Sequence, residues 1–398
     1  MFRPLLHRDY RLYWSGTLVS FTGTWLQSTA LSWLVRSLTA SPFLLGAVAF
    51  CSSAPMFALS LFGGVLADRL DKRRTLFFTQ AALSGCATLL AYLTISGRVQ
   101  IEHIMLIALA SGTAAALDAP LRQSLVYHLV GKQDLPNAIA LNSVGFNSAR
   151  ILGPALAGLI IAAWGQGVCF ALNAASFGAV ILALVMVRVD TRPAQEPSSS
   201  ILSDLRGGLM YIRSQKTILG LLLMMGIPHV LCFPYQTMLP IFARDILHQG
   251  AGGFGAMLSF AGIGALTGAM SIYHLSRSMG RGRTMIVAAG VVGLALIGLS
   301  QSTSYPVTLA CMVLAGYGTV VYIASINAVL QTLASDRMRG RVVGTYVFVS
   351  QGLSPIGSLW IGGLAEFSSP QFAVLSGGLV FVAISVIVWL RRPDIRLL

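Results

Sequence analysis

The chain has 398 residues, 55% of them apolar and 10% charged, with a formal net charge of +14. An ordinary soluble domain is roughly 25% charged, so this chain lacks the polar groups to coat a water-facing surface, and composition argues against a soluble enzyme. It argues equally against disorder, which requires low hydrophobicity. The basic residues form no patch for nucleic acid. They sit in short clusters between long apolar runs, as cytoplasmic loops do in membrane proteins. Cys51, Cys86, Cys169, Cys232 and Cys311 all lie inside apolar runs with no CxxC or Cys/His spacing. Neither a disulfide framework nor a zinc site is indicated, and no metal is expected.

The opening MFRPLLHRDYRLYW is basic and has no small-residue cleavage site before the first apolar run, so it reads as a retained cytoplasmic end. A bilayer-crossing helix needs ~20 mostly apolar residues. Runs of that kind are predicted at 12–35, 43–67, 75–97, 103–126, 138–163, 168–188, 217–243, 251–275, 284–301, 307–331, 342–366 and 370–390. They are too long, and alternate too little, for barrel strands. With the N-terminus in the cytoplasm, 23 of the 27 Lys and Arg fall on the inner side, in 1–11, 68–74, 122–136, 188–216, 277–283, 337–341 and 391–396. Only Arg36, Arg98 and Arg244 fall outside, and Arg150 lies within a span. This asymmetry predicts twelve crossings with both ends cytoplasmic.

The most polar stretch, 189–216, is rich in Pro and Ser and reads as a linker between an N-terminal bundle (1–188) and a C-terminal bundle (217–398). Within it, Ile201, Leu205, Leu209 and Ile212 recur at helical spacing beside Arg206, Arg213 and Lys216. That pattern suggests a helix on the inner membrane surface, with a solvated loop helix as the alternative. Six spans precede the linker and six follow. Ala116–Leu129 leads into Gly153-Pro154 and Gly158, much as Tyr322–Leu333 leads into Ser354-Pro355, Gly357 and Gly362-Gly363, and a basic loop follows the second span of each half. Internally repeated helix sets are a plan of secondary transporters, with solute held near the midplane.

The sharpest local string is Gly64-Val65-Leu66-Ala67-Asp68-Arg69-Leu70-Asp71-Lys72-Arg73-Arg74. Glycine permits close helix approach, and a carboxylate among cations can bridge moving parts. The simpler reading is that the cations only set orientation. The order of residues resembles the signature loop of the major facilitator superfamily, with Asp71 where that pattern usually has its second Gly. The likeness extends over the whole chain. The opening Arg8-Asp9-Tyr10-Arg11-Leu12-Tyr13-Trp14, then Gly23-Thr24-Trp25-Leu26-Gln27 and Ser37-Leu38-Thr39-Ala40-Ser41-Pro42, is similar to the bacterial exporter branch that includes the enterobactin exporter and macrolide-efflux proteins. The resemblance implies an all-α, polytopic membrane protein of two pseudo-symmetric six-helix bundles. It also implies a gating role for Gly64, Asp68, Arg69, Lys72 and Arg73, with Asp68 latching the outward-open state. The second half keeps Gly268, Arg277, Arg281 and Arg283 but has Ile272 near the place of the acid, so the latch is asymmetric. Ala149–Gly158, with Gly153 and Pro154, resembles the family's antiporter motif in the fifth span, although alanines stand at two glycine positions. On its own, Pro in a helix bends it and the small residues allow close packing.

Charges inside the spans are few and informative. Asp118 and Arg122 share a helix face at i, i+4, with Asp118 about 12 Å from the cytoplasmic end at 1.5 Å per residue. Arg150 lies near mid-membrane. Asp118 is read first as a structural partner of Arg122 or the Lys72 cluster, and second as a proton carrier. Arg150 would neutralise Asp118 or an anionic solute. The superfamily resemblance implies a cavity lined by spans one, four, seven and ten. Its further polar or aromatic candidates are Trp25, Gln27, His229, Gln236, Tyr317, Tyr322 and Asn327. His229 follows Pro228 in mid-span and reads as an interior histidine, with titration as the alternative. The mixed aromatic and amide character suits an amphiphilic organic solute. The glycines of span eight read as close packing.

No P-loop, HExxH, GxSxG or Rossmann fingerprint occurs, so enzymatic chemistry is not expected. The expected function is proton-driven efflux of a drug, siderophore or other metabolite across the inner membrane by alternating access. No bound cofactor is expected, and the partners are the bilayer and a small-molecule solute, with the protein a monomer. The alternatives are an importer of the same fold and a non-transporting membrane sensor or assembly protein.

Overall fold

The computed structural model describes residues 2–187, 189, 210–336 and 338–398, and for 60–69 the backbone alone. Helices α1 (Arg8–Leu38), α2 (Pro42–Arg69), α3 (Lys72–Ile95), α4 (Ile101–Trp164) and α5 (Gln166–Met186) occupy the first half. The second half holds α6 (Lys216–Leu231), α7 (Ala251–Met279), α8 (Arg281–Gln301), α9 (Tyr305–Leu333), α10 (Arg339–Val347), α11 (Ser354–Phe367), α12 (Pro370–Arg391) and α13 (Pro393–Arg396). Among the described residues there is no strand. Ten segments of the described residues are long and apolar enough to cross a bilayer, and their large side chains are turned outward in number: Leu106, Leu159, Met270 and Leu294 are each more than 60% exposed. Such a surface is stable only in lipid, so the chain is an all-helical, multi-pass membrane protein.

Two features separate these ten segments from the twelve runs read in the sequence. α1 spans 31 residues but is not among the ten. Its buried face is made of small and polar residues, including Gly16, Thr17, Ser20, Gly23 and Thr29. α4 is counted as one segment of 64 residues, yet Gly131 has φ 71° and ψ 176°, far from helical values. Glycine adopts this conformation without steric cost. The residues 101–130 and 132–164 therefore form two arms. Ala119 and Asn147, one on each arm, line the same cavity, which a straight helix with ~1.5 Å rise per residue would not permit.

The chain forms two compact units: Met1–Ala40, Cys51–Pro197 and Gln249–Ser259 in unit 1, and Ser41–Phe50, Ser198–His248 and Phe260–Leu398 in unit 2. The surface helix expected within 189–216 lies mostly outside the described residues; 210–214 are helical.

In unit 1, Tyr10, Tyr13, Leu76, Leu125, Leu141 and Leu184 belong to one buried core. The N-terminal segment is pinned just beyond the Gly131 break. His7 Nε2 lies 2.9 Å from Asp134 Oδ2 and Arg3 Nε lies 3.4 Å from Oδ1. The Tyr10 hydroxyl donates to the Ala138 carbonyl at 3.1 Å. Asp71 has φ −64°, and its Oδ1 accepts from the Arg74 amide at 3.0 Å, so it N-caps α3. A carboxylate at the N-cap explains why this turn does without the glycine of the superfamily pattern. Asp71→Ala is expected to lower stability by about 1 kcal/mol, and Asp71→Gly by a few tenths; thermal unfolding of the purified variants in detergent measures the difference.

In unit 2, α6 ends at Leu231, and the chain continues through a 3₁₀ segment (Phe233–Met238) and a π turn (Phe242–Ile246). Pro228, Pro234 and Pro240 withhold the amides a continuous helix needs. Glu366, near the end of α11, accepts from Ser41 Oγ at 2.6 Å and from the Phe43 amide at 3.0 Å. It thereby places negative charge at the N-terminus of α2. After α12, Asp394 accepts from Arg392 Nη2 at 2.8 Å and from Thr217 Oγ1 at 2.9 Å. The Arg392 hydrogen bonds hold the Asp394 carboxyl down at about 2. A depressed carboxylate stabilises the fold above its unfolded value of about 4, and that contribution fades as pH falls toward 2. The effect is small because the pair is partly exposed. The melting difference between the native chain and Asp394→Asn is expected to be present at about pH 6 and to shrink by about pH 3.

Candidate functional site

The intramembrane acid is engaged inside unit 1. Asp118 is 6% exposed. Its Oδ1 accepts from Thr79 Oγ1 at 2.8 Å and from Gln80 Nε2 at 2.6 Å, and its Oδ2 accepts from Arg122 Nε. The i, i+4 spacing on the 101–130 arm thus closes an ion pair, and α3 supplies two further donors. Three side chains thus converge on the one carboxylate, and hydrogen bonds of a carboxylate with a guanidinium are of the strong, charge-assisted kind. Arg150 is half-buried on the 132–164 arm, and Asp118 forms its ion pair with Arg122.

Arg122 also lines an open cavity of ≈ 670 Å³ in unit 1, walled by α1 and both arms of α4. Tyr13 and Thr17 share its wall with Arg122, and Phe21 and Phe146 face it from farther along the same elements. Phe21 and Phe146 meet edge to face with ring centroids 5.4 Å apart, and Trp25 packs on Phe146 at 5.7 Å. The volume suits an organic molecule, since ligand pockets run from about 300 to 1,000 Å³.

The remaining sequence-read residues fall as follows. Gln27 accepts from Asn173 Nδ2 at 2.8 Å. Lys72 is buried at the start of α3. Arg73 donates to the carbonyls of Leu184 (2.7 Å) and Val185 (2.9 Å), capping the C-terminus of α5. The side chains of Gly64, Asp68 and Arg69 lie outside the described residues. Gly153 and Pro154 continue the 132–164 arm, with a Cβ on Gly153 only 2.5 Å from Trp25 Cβ. A Cβ on Gly158 would sit 2.8 Å from the Ala251 carbonyl oxygen.

In unit 2, His229 is buried, with Nδ1 2.7 Å from the Met225 carbonyl and its ring 4.5 Å from Phe233. Tyr322 is fully buried and donates to the Met224 carbonyl. The Tyr317 hydroxyl accepts from Ser271 Oγ at 3.0 Å, and Asn327 Oδ1 accepts from Gln331 Nε2 at 3.0 Å. Gln236 is exposed on the 3₁₀ segment. The structure therefore gathers Asp118 and Arg122 at one place, with Trp25 near the aromatic end of the same cavity. Sequence reading did not single out Tyr13, Thr17, Thr79 or Gln80 as site residues. Gln80, an amide in the middle of an apolar run, was the available signal.

A multi-pass helical bundle enclosing a solute-sized, mixed aromatic and polar cavity defines a membrane transporter. The chain belongs to the transmembrane secretion effector family of the major facilitator superfamily, matching it over residues 1–395. Members of this family are transporters, not enzymes. The chain is 25% identical over 362 residues to a staphyloferrin A transporter of Staphylococcus aureus, covering 88% of this chain and 87% of that one. It is 25% identical to the multidrug efflux pump Tap of Mycolicibacterium fortuitum (94% and 93% covered). It is 23% identical to the enterobactin exporter EntS of Shigella boydii (98% and 93%). Its fold matches the crystal structure of the nucleoside transporter NupG with a TM-score of 0.74 at 15% identity, over 96% of this chain and 98% of that one.

Proposed function

We propose that this chain is a proton-driven exporter of amphiphilic small organic molecules, drug-like or siderophore-like. In this reading it crosses the inner membrane twelve times with both ends cytoplasmic, and works as a monomer by alternating access of the bundles 1–188 and 217–398. The observation that carries the reading is the ≈ 670 Å³ cavity, whose lining combines aromatic side chains with amides and Arg122. The likeness to a staphyloferrin A transporter, a multidrug efflux pump and an enterobactin exporter supports export of such solutes. Gly64, Asp68, Arg69, Lys72 and Arg73 serve as the gating loop in this scheme.

Cells lacking the gene should become more sensitive to its solutes and accumulate more of them than cells carrying it. Equal sensitivity and accumulation across a panel of amphiphilic compounds and siderophores would remove the reading.

A further inference from the structure

In unit 2 a groove runs between α6 and α12, which lie side by side and antiparallel. At one end a Cβ on Gly377 would stand 3.1 Å from the Leu231 carbonyl oxygen and 3.2 Å from Cys232 Cα. At the other end Arg392 Nη2 donates to the Lys216 carbonyl at 3.3 Å. Lys216 to Leu231 and Gly377 to Arg392 each span about 22 Å at 1.5 Å rise per residue, so the two helices keep company along that whole length. At the Arg392 end the groove widens into an open cavity of ≈ 540 Å³.

The head of this cavity is cationic. Lys216, Arg391 and Arg392 line it, together with Asp394. Arg392 takes up the carboxylate of Asp394 with Nε at 2.9 Å and Nη2 at 2.8 Å. Gly220 leaves space for that guanidinium, since a Cβ there would lie 2.7 Å from Arg392 Nη1. The charges of Lys216 and Arg391 are not offset in this way. Both residues are exposed, and neither forms an ion pair among the described residues.

Along α6 the wall then turns apolar. Leu219 and Leu223 line the cavity, and with Ile227 they make one exposed stripe that continues from Lys216 at helical spacing. On α12, Ile387 is exposed one turn before Arg391. The depth of the site is set by the same residues: one bilayer-crossing segment begins at Lys216 and another ends at Arg391. Exposed Trp389 stands just inside that limit, where aromatic residues mark the headgroup level. Cations at headgroup depth above an apolar groove complement a molecule that is anionic at its head and apolar along its length. A guanidinium fork and an ammonium both suit phosphate oxygens.

We propose that this groove binds an anionic phospholipid. Its phosphate sits between Lys216 and Arg391, and an acyl chain lies along Leu219, Leu223 and Ile227. Bound there, the lipid ties the start of α6 to the end of α12. In the orientation proposed above the site faces the inner leaflet; the binding itself does not depend on which solute is carried, or in which direction.

Native mass spectrometry of the full chain in detergent tests it, by titration with dioleoylphosphatidylglycerol or dioleoylphosphatidylcholine, which share their acyl chains and differ in net charge. The anionic lipid is expected to form an adduct retained at least about tenfold more tightly, each nearby cation contributing about fivefold. Lys216→Gln/Arg391→Gln is expected to abolish that preference. Arg98→Gln/Arg277→Gln removes the same charge from exposed positions elsewhere and should preserve it. The anionic lipid should also raise the melting temperature of the native chain and leave that of Lys216→Gln/Arg391→Gln unchanged. Equal retention of the two lipids by the native chain overturns the proposal, with no variant needed. So does a preference that survives Lys216→Gln/Arg391→Gln, or one that the control variant loses to the same extent. Displacement of the lipid by millimolar inorganic phosphate would make this a site for free anions and overturn the assignment to a lipid.

Discussion

Asp118→Leu is expected to cost about 3–5 kcal/mol of stability, because it strands the Arg122 guanidinium in a buried site. The pair is buried on both sides, with 15% of the Arg122 side chain and 8% of the Asp118 side chain exposed. Removing both charges together should be far milder. The double variant Asp118→Leu/Arg122→Met replaces the pair with apolar volume and is expected to regain most of the lost stability. Residual folded fraction after heating, read by size-exclusion chromatography of detergent-solubilised protein, ranks the three chains. Native and double variant should lie close together with the single variant well below. A single variant as stable as the native chain would mean that the pair is not closed in the protein. Transport should be lost in the double variant even where stability returns.

Gly255→Leu in α7 is expected to be the most damaging substitution of a small residue in unit 1. A Cβ on Gly255 would fall 2.3 Å from the Pro154 carbonyl oxygen and 3.2 Å from Gly158 Cα. Two glycines facing each other let the α7 backbone cross the 132–164 arm in near contact, and Ser259 Oγ reinforces the crossing by donating to the Ile151 carbonyl at 2.7 Å. Any side chain at Gly255 must separate the backbones, an overpacking cost of about 1–3 kcal/mol for an alanine and more for leucine. Gly252→Ala is the control, since nothing lies within 4 Å of its added Cβ. A similar crossing recurs inside unit 2. There a Cβ on Gly46 would meet the Ser358 carbonyl oxygen at 2.4 Å and Gly362 Cα at 3.2 Å. If Gly255→Leu and Gly252→Ala expressed and melted alike, the close crossing would be refuted.

Much of this architecture was legible because bilayer thickness forces long apolar runs. The runs read at 75–97 and 168–188 fall within a few residues of α3 and α5. The glycine-rich span eight, read as close packing, does place Gly255 and Gly264 against neighbouring backbones. The Asp118–Arg122 pair was visible in its i, i+4 spacing, which is local information. Three things were harder to read. The run at 217–243 hid an interrupted helix, although Pro228, Pro234 and Pro240 stood at the interruptions. Asp71 was compared with a family pattern when its place before Lys72-Arg73-Arg74 marked it as an N-cap. Thr79 and Gln80, which also donate to Asp118, come from α3, dozens of residues away, and no periodicity encodes which face of one helix meets which face of another.

The most direct test of proton-driven export uses everted inner-membrane vesicles from cells carrying or lacking the gene, with the interior made acid. The probe is the compound whose accumulation distinguishes the two strains. The account predicts uptake into vesicles carrying the protein that builds with the proton gradient and collapses when a protonophore is added. Uptake indifferent to the protonophore, or movement of the compound only out of the vesicles, would contradict it.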